Sequence, residues 1–224
     1  MSNIATKILE KRHIIISIII IIFFLILIKN NFGIILSNED RVITDSDITI
    51  KQALADNTIP ESLQKNLTIV TVNYYSFDNK LHKGQVVIRK ELGKDIINIF
   101  KEIENSHFPV NKVIPIIKYN WSDIASMEDN NSSAFNYRTV KNTKLISSHA
   151  KGIAIDINPL LNPQLKHGIT SPPAIVYDPS RPGTLTAKSA VVKAFIKRGW
   201  QWGGYWQTTK DYQHFEKNIY NLIK

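Results

Sequence analysis

The sequence predicts an α+β fold, an antiparallel sheet with flanking helices, preceded by an N-terminal transmembrane helix. Three observations predict it. Short stretches alternate apolar and polar residues with the period of two that marks strands, whereas two longer stretches carry apolar residues at helical spacing. These elements follow one another as neighbouring strands and separate helices, which disfavours a wound parallel sheet. Finally, Ile14 to Ile28 is a run of isoleucine, leucine and phenylalanine broken only by Ser17.

That run follows Lys7, Lys11 and Arg12. As a helix it spans roughly 22 Å, short of a hydrocarbon core of ~30 Å. Lys29 can snorkel, and Phe32 to Leu36 can extend the buried stretch. A secretory signal peptide has the same layout, but a small-residue cleavage site is not evident and there is no cysteine for a lipid anchor. An uncleaved signal anchor is therefore expected, with secretion after cleavage as the alternative. Either reading puts the C-terminal domain outside the cytoplasmic membrane, with the basic flank inside, and the uncleaved anchor makes the protein single-pass. Residues 1–36 read as a cytoplasmic stub and anchor, 37–67 as a tether with the first small elements, and 68–224 as the main domain.

Within the tether, a short helix is expected around Ile50 to Ala55. Thr68 to Tyr75 and Gln85 to Lys90 read as strands joined by a turn containing Asp78, Asn79 and Gly84. Leu92, Ile96, Ile99, Phe100 and Ile103 form a helical stripe over Glu91 to Ser106, ending before Pro109. Val113 to Tyr119 reads as a strand that Pro115 confines to a sheet edge. Asp129 to Ser133 is a polar loop. Pro159 to Gly183 is a proline-rich loop, and a second helix is expected over Thr186 to Arg198 with Ala190, Val191, Ala194 and Phe195 buried.

Chemistry concentrates in two places. From Gly152 to Ile157, isoleucines alternate with Gly152, Ala154 and Asp156, a strand with one apolar face and one small-residue face from which Asp156 projects. His149 lies seven residues before Asp156, so a straight strand would put the two on opposite faces. A turn or bulge near Gly152 is needed to bring them together. Farther on, Tyr212, His214 and Glu216 alternate with Gln213 and Phe215, with Asp211 at the strand mouth. His149, Asp156 and His214 make a candidate set of three ligands, leaving one coordination position open, which describes a catalytic zinc site. The absence of cysteine argues against a closed structural site. Asp211 suits a carboxylate that takes a proton from water and later gives it to a leaving amine. Trp200, Trp202, Tyr205 and Trp206 crowd the approach to Asp211. Trp202 reads as core, and Trp206 or Tyr205 as a wall for a peptide. His13, His82, His107 and His167 read as surface or packing residues.

These motifs resemble the zinc peptidases of bacterial cell-wall peptides, the D-alanyl-D-alanine carboxypeptidase family. That family includes VanY-like carboxypeptidases and L-alanyl-D-glutamate endopeptidases, and shares the Hedgehog/DD-peptidase fold. The resemblance rests on Ser126-Met127, Asn131 to Arg138, Ser147 to Pro163, Tyr177 to Arg181 and Gly199 to Glu216, and above all on S-x-H-x-x-G-x-A-x-D followed by D-x-x-H-F-E. It implies one zinc ion per chain held by His149, Asp156 and His214, with Asp211 as general base where many relatives have glutamate. It implies that Arg138 binds a substrate carboxylate or steadies the oxyanion, an ion pair with a surface acid being the competing reading. Ser147 would order the site or cap a turn, and Tyr177 and Arg181 would line the cleft or pack a loop. The implied activity is cleavage of peptidoglycan stem peptides by a monomer. Removal of D-alanine is favoured over L-alanyl-D-glutamate cleavage or a non-catalytic, zinc-containing binding domain.

Composition fits. The 224 residues leave room for one domain plus the N-terminal extension, and 43% apolar with 21% charged residues is ordinary for a globular chain. The net charge of +9 suits approach to an anionic wall polymer, although a general lysine bias gives the same number. No nucleic-acid motif accompanies it, and the export signal argues against nucleic acid as a partner.

Overall fold

The computed structural model describes residues 13, 15–29, 42–55, 58–141 and 143–220. The chain divides into two units, Met1–Arg41 and Val42–Lys224. In the first, residues 15–29 form an exposed apolar helix. Among the described residues no helix is long and apolar enough to cross a membrane. The expected transmembrane helix is thus not found there, because an apolar stretch ending at Lys29 falls short of the hydrocarbon thickness. Lys7, Lys11, Arg12, Ile14, Phe32 to Leu36 and the start of the tether, residues 37–41, lie outside the described residues.

The second unit opens with β1 (Ile43–Thr44) and α1 (Ile50–Ala53). Thr49 and Gln52 close a reciprocal capping box on α1, satisfying donors that a four-residue helix would otherwise expose. After α2 (Glu61–Gln64) come the long hairpin strands β2 (Leu67–Tyr75) and β3 (Leu81–Arg89). Gly84, expected in the turn, lies within β3. A 3₁₀ turn at Lys90–Leu92 leads into α3 (Gly93–Asn105), whose stripe Ile96, Ile99, Phe100 and Ile103 is fully buried. Each such side chain contributes roughly 1.5–3 kcal/mol of burial.

The expected strand over Val113 to Tyr119 shrinks to β4 (Lys112–Val113), because Pro115 removes a ladder donor and starts a 3₁₀ turn at Ile116–Tyr119. After α4 (Asp123–Glu128), β5 (Asn131–Ser132) pairs in parallel with β4 where a loop was expected. Then come β6 (Ala154–Asp156), the small hairpin β7 (Gln164–Lys166) and β8 (Ile169–Ser171), and α5 (Ala190–Ile196), capped by Ser189. The hairpin occupies part of the stretch expected to be all loop. The chain ends its described course with β9 (Gln201–Trp202), β10 (Lys210–Asp211) and β11 (His214–Glu216).

The fold is mixed α+β, but one antiparallel sheet is replaced by several small ones, ordered β1-β3-β2, β10-β7-β8, β6-β11-β9 and β4-β5. The main core joins α3 and α5 to one face of β2–β3 and to Ile155, Trp202 and Phe215 of the β6-β11-β9 sheet. Glu102 on α3 ties this layer to the end of α5 through Lys197 and Arg198, each at 2.6 Å.

Candidate metal centre and catalytic cleft

His149 sits in the turn that precedes β6. Lys151 N donates to Ser147 O at 3.1 Å and Gly152 N to His149 O at 2.9 Å. Gly152 has φ +69°, and a Cβ there would come within 2.6 Å of Leu67 Cδ2. This is the reversal that the spacing of His149 and Asp156 requires. Ser147 Oγ accepts from His149 N at 3.2 Å, so Ser147 stiffens the turn and also lines the cleft.

Asp156 and His214 face each other in register across the antiparallel β6–β11 pair. His149 Nε2 lies 3.2 Å from His214 Nδ1 and 3.3 Å from Asp156 Oδ2, and His214 Nδ1 lies 3.0 Å from Asp156 Oδ1. A tetrahedral ion with bonds of about 2.0–2.1 Å separates its ligand atoms by about 3.3–3.4 Å. The set therefore fits zinc with little adjustment.

The far sides of the rings support the same conclusion. His149 Nδ1 donates to Ala134 O at 2.6 Å, and His214 Nε2 faces Glu216 Oε2 at 3.4 Å. With those nitrogens carrying the protons, the lone pairs of His149 Nε2 and His214 Nδ1 converge beside a carboxylate. The centre calls for positive charge. Burial disfavours ionised Asp156, yet the two imidazoles hold its carboxyl far below the usual range. Burial also opposes charge on His214, yet Asp156 and Glu216 push it up to about 10. Glu216 is held down at about 2, chiefly by its hydrogen bond with His214, and also accepts from Ser148 Oγ at 2.5 Å.

Asp211 is buried beside this centre. Gly203 passes so close that a Cβ there would lie 2.5 Å from Asp211 O, which explains one member of the Gly203-Gly204 pair. Gln164 Nε2 donates to Asp211 Oδ2 at 2.7 Å across the β7–β10 pair, while buried Oδ1 has no partner among the described residues. Burial pushes the Asp211 carboxyl up, with the charge on Asp156 adding to it and His214 and the Gln164 hydrogen bond opposing it.

The cleft over the centre has a volume of about 360 Å³ and is lined in part by Arg138, Ser147, Trp206 and Asp211. Arg138 Nη2 pairs with Asp123 Oδ2 at 3.1 Å, and its buried Nε has no partner among the described residues. The ion pair with an acid is thus present, and both Arg138 and Asp123 line the cleft. The Trp206 ring stands 5.4 Å from that of His214. Tyr177 and Arg181 are not among the cleft-lining residues. Tyr177 stacks on Tyr212 at 3.6 Å and donates to Leu185 O at 2.6 Å, and Arg181 N closes a turn on Asp178 O, so both follow the loop-packing alternative.

Sequence reasoning missed Glu216, Ser148, Gln164 and Asp123. Glu216 alternates with His214 on one strand face and could have been found that way. Gln164 carried no signal, because only the β7–β10 pairing brings it to Asp211.

The fold and site define an α+β domain in which His149, Asp156 and His214 are grouped so that they could hold a metal ion. Residues 141–217 match the family model described as D-alanyl-D-alanine carboxypeptidase, so the similarity read from the two motifs is to a peptidase family. The matched stretch holds His149, Asp156, Asp211 and His214, and begins just after Arg138. Neither the curated proteins nor the solved structures give a match.

Proposed function

We propose that this chain is a zinc-dependent peptidase acting on peptidoglycan stem peptides, and that it removes the terminal D-alanine from D-alanyl-D-alanine ends. The observation that carries the reading is the convergence of His149 Nε2, His214 Nδ1 and the Asp156 carboxylate beside a buried carboxylate with one free oxygen. These three residues would hold the ion. Bound zinc supplies Lewis acidity toward a carbonyl oxygen and makes water a better nucleophile near neutral pH.

The remaining work falls to the chain itself. Gln164 fixes Oδ2 of Asp211 and leaves Oδ1 to take a proton from the attacking water. The raised affinity of Asp211 for that proton suits its return to the leaving amine nitrogen. Arg138, steadied by Asp123, offers a planar fork of donors to the terminal carboxylate of the substrate. Trp206 forms an apolar wall beside His214. The reading includes export and membrane attachment of the domain, which rests on the sequence alone, the apolar run Ile14 to Ile28 and the basic residues before it.

Digestion of pentapeptide stems with the purified chain tests the reading. Free D-alanine and tetrapeptide stems are expected, with loss of both on zinc chelation. Stems that begin at D-glutamate, without free D-alanine, would establish the endopeptidase activity instead. Zinc binding without any hydrolysis would leave a binding domain.

A further inference from the structure

Strand β2 is an open edge. Among the described residues, the order β1-β3-β2 leaves one side of it without a strand neighbour. At the two ends of the hairpin, Ser76 N donates to Lys80 O at 3.1 Å and Lys90 N to Asn66 O at 2.9 Å. Hydrogen-bonded and non-bonded pairs alternate along an antiparallel ladder. Thr68, Val70, Val72 and Tyr74 therefore turn their N–H and C=O groups toward β3, and Leu67, Ile69, Thr71, Asn73 and Tyr75 turn theirs outward. Tyr75 O accepts from Val110 N at 2.9 Å on that outer side, which fixes the phase. Among the described residues, the outward groups of Leu67, Ile69, Thr71 and Asn73 have no partner. The strand reads LTIVTVNYY and pairs with β3 in unbroken register. It has no charge, proline or bulge, the devices that normally blunt a free edge.

A groove of about 790 Å³ is lined by the first three residues of β2, Leu67 to Ile69, and by residues of the helices α1 and α2. Ile50, Leu54 and Ile69 give it an apolar lining, and Lys51, Lys65 and Lys90 stand around it. Glu61, the acid among its lining residues, already pairs with Lys65 at 3.1 Å. Lys51 makes no ion pair among the described residues, and the acid that Lys90 meets, its neighbour Glu91, is already held by Arg89 at 3.1 Å.

We propose that this groove takes an extended acidic peptide segment of another protein, which adds as a further strand on β2. The unpaired backbone groups require an extended chain, since a helix has no free main-chain groups to offer them. Alternate side chains of such a strand would reach the apolar lining, and acidic residues would meet Lys51 and Lys90. A second copy of β2 would match the hydrogen bonds but bring no acid to the lysines. The groove shares no lining residue with the catalytic cleft, so the inference stands apart from the peptidase reading.

The test uses the full chain and two blocked eight-residue peptides, one alternating glutamate with valine and one alternating lysine with valine. The glutamate peptide is expected to bind saturably, more weakly as salt rises, and to slow hydrogen exchange at the Ile69 and Thr71 amides. Thr71→Pro removes one outward N–H, a change that edge strands tolerate, and should weaken binding by roughly tenfold or more. Lys51→Glu combined with Lys90→Glu should do the same, with zinc content and circular dichroism unchanged in both variants. Equal binding of the two peptides would overturn the proposal, as would undiminished binding by the double lysine variant. A concentration-dependent dimer that Thr71→Pro abolishes would assign the edge to a second copy.

Discussion

His214 stands opposite Asp156 in the β6–β11 ladder, and its Nδ1 lies 3.0 Å from Asp156 Oδ1. Two backbone ladders therefore set the relative positions of the ligand pair and of Asp211 with Gln164. His149 alone is brought in by a turn, and Ala134 O and the Ser147 hydroxyl hold that turn and its ring in place. A site built on strands keeps its spacing before any ion arrives.

The first expectation concerns the ion. The purified chain should hold close to one zinc ion, and His149→Ala and His214→Ala should each lose it, since removing one of three ligands leaves too few to hold the ion tightly. Glu216→Gln should keep zinc but weaken it by roughly tenfold or more, because that carboxylate orients the His214 ring. Metal analysis after dialysis against a mild chelator measures both. Full stoichiometry in the two histidine variants would remove them from the centre.

The second concerns the base. Asp211→Asn should preserve zinc content and fold while turnover falls roughly 10²–10⁴-fold, the range for a positioned proton carrier. Gln164→Leu should lower turnover less and shift the acid limb of the pH profile upward, because the lost hydrogen bond favours the ionised carboxylate. Turnover measured from pH 4 to 9 checks this. An Asp211→Asn enzyme as fast as the parent would remove Asp211 from the mechanism.

Much of this site was legible because its residues are close in sequence to the features that position them. Isoleucine alternation placed Asp156 on a strand face, and the spacing to His149 demanded the turn that Gly152 supplies. Long, strongly periodic α3 was equally plain. What was not legible depends on contacts between distant segments. Gln164 reaches Asp211 through pairing of two very short strands, and Asp123 reaches Arg138 from a separate helix. Pro115 was visible as a ladder breaker, but local pattern did not show that it would start a 3₁₀ turn. His82, read as a packing residue, lies against Asp45 at 2.9 Å and stacks on Tyr74, a pairing with no local signature.

The third concerns pH and the ion together. In zinc-free protein, burial opposes charge on His214, yet the carboxylates of Asp156 and Glu216 raise its folded-state pKa to about 10 from the ordinary 6.5. Its protonation thus adds stability that is complete below 6.5 and is lost as pH rises through about 10. Chelated protein should melt at progressively lower temperature across that window, whereas zinc-loaded protein should not follow the same curve. Scanning calorimetry with and without chelator measures the difference. Parallel curves for the two forms would show that the ion and the proton do not compete for His214.

The last concerns the substrate carboxylate. Arg138 lies on the cleft wall with one face of its guanidinium engaged by Asp123, so it is held in place without being consumed by the pair. A charge-assisted bond to substrate contributes roughly 1.5–3 kcal/mol, or about tenfold to a hundredfold in kcat/KM. Arg138→Ala should lose that amount at unchanged zinc content, and Arg138→Lys should recover little, because a point charge cannot reproduce the planar fork. Asp123→Asn should have a smaller effect, carried mainly by KM, since it loosens the arginine without removing its charge. The decisive comparison uses a substrate whose terminal carboxylate is converted to an amide. If Arg138 binds that carboxylate, the parent enzyme loses rate on the amide and Arg138→Ala loses no more. An equal penalty for the amide in both enzymes would place the carboxylate elsewhere and leave Arg138 to the oxyanion.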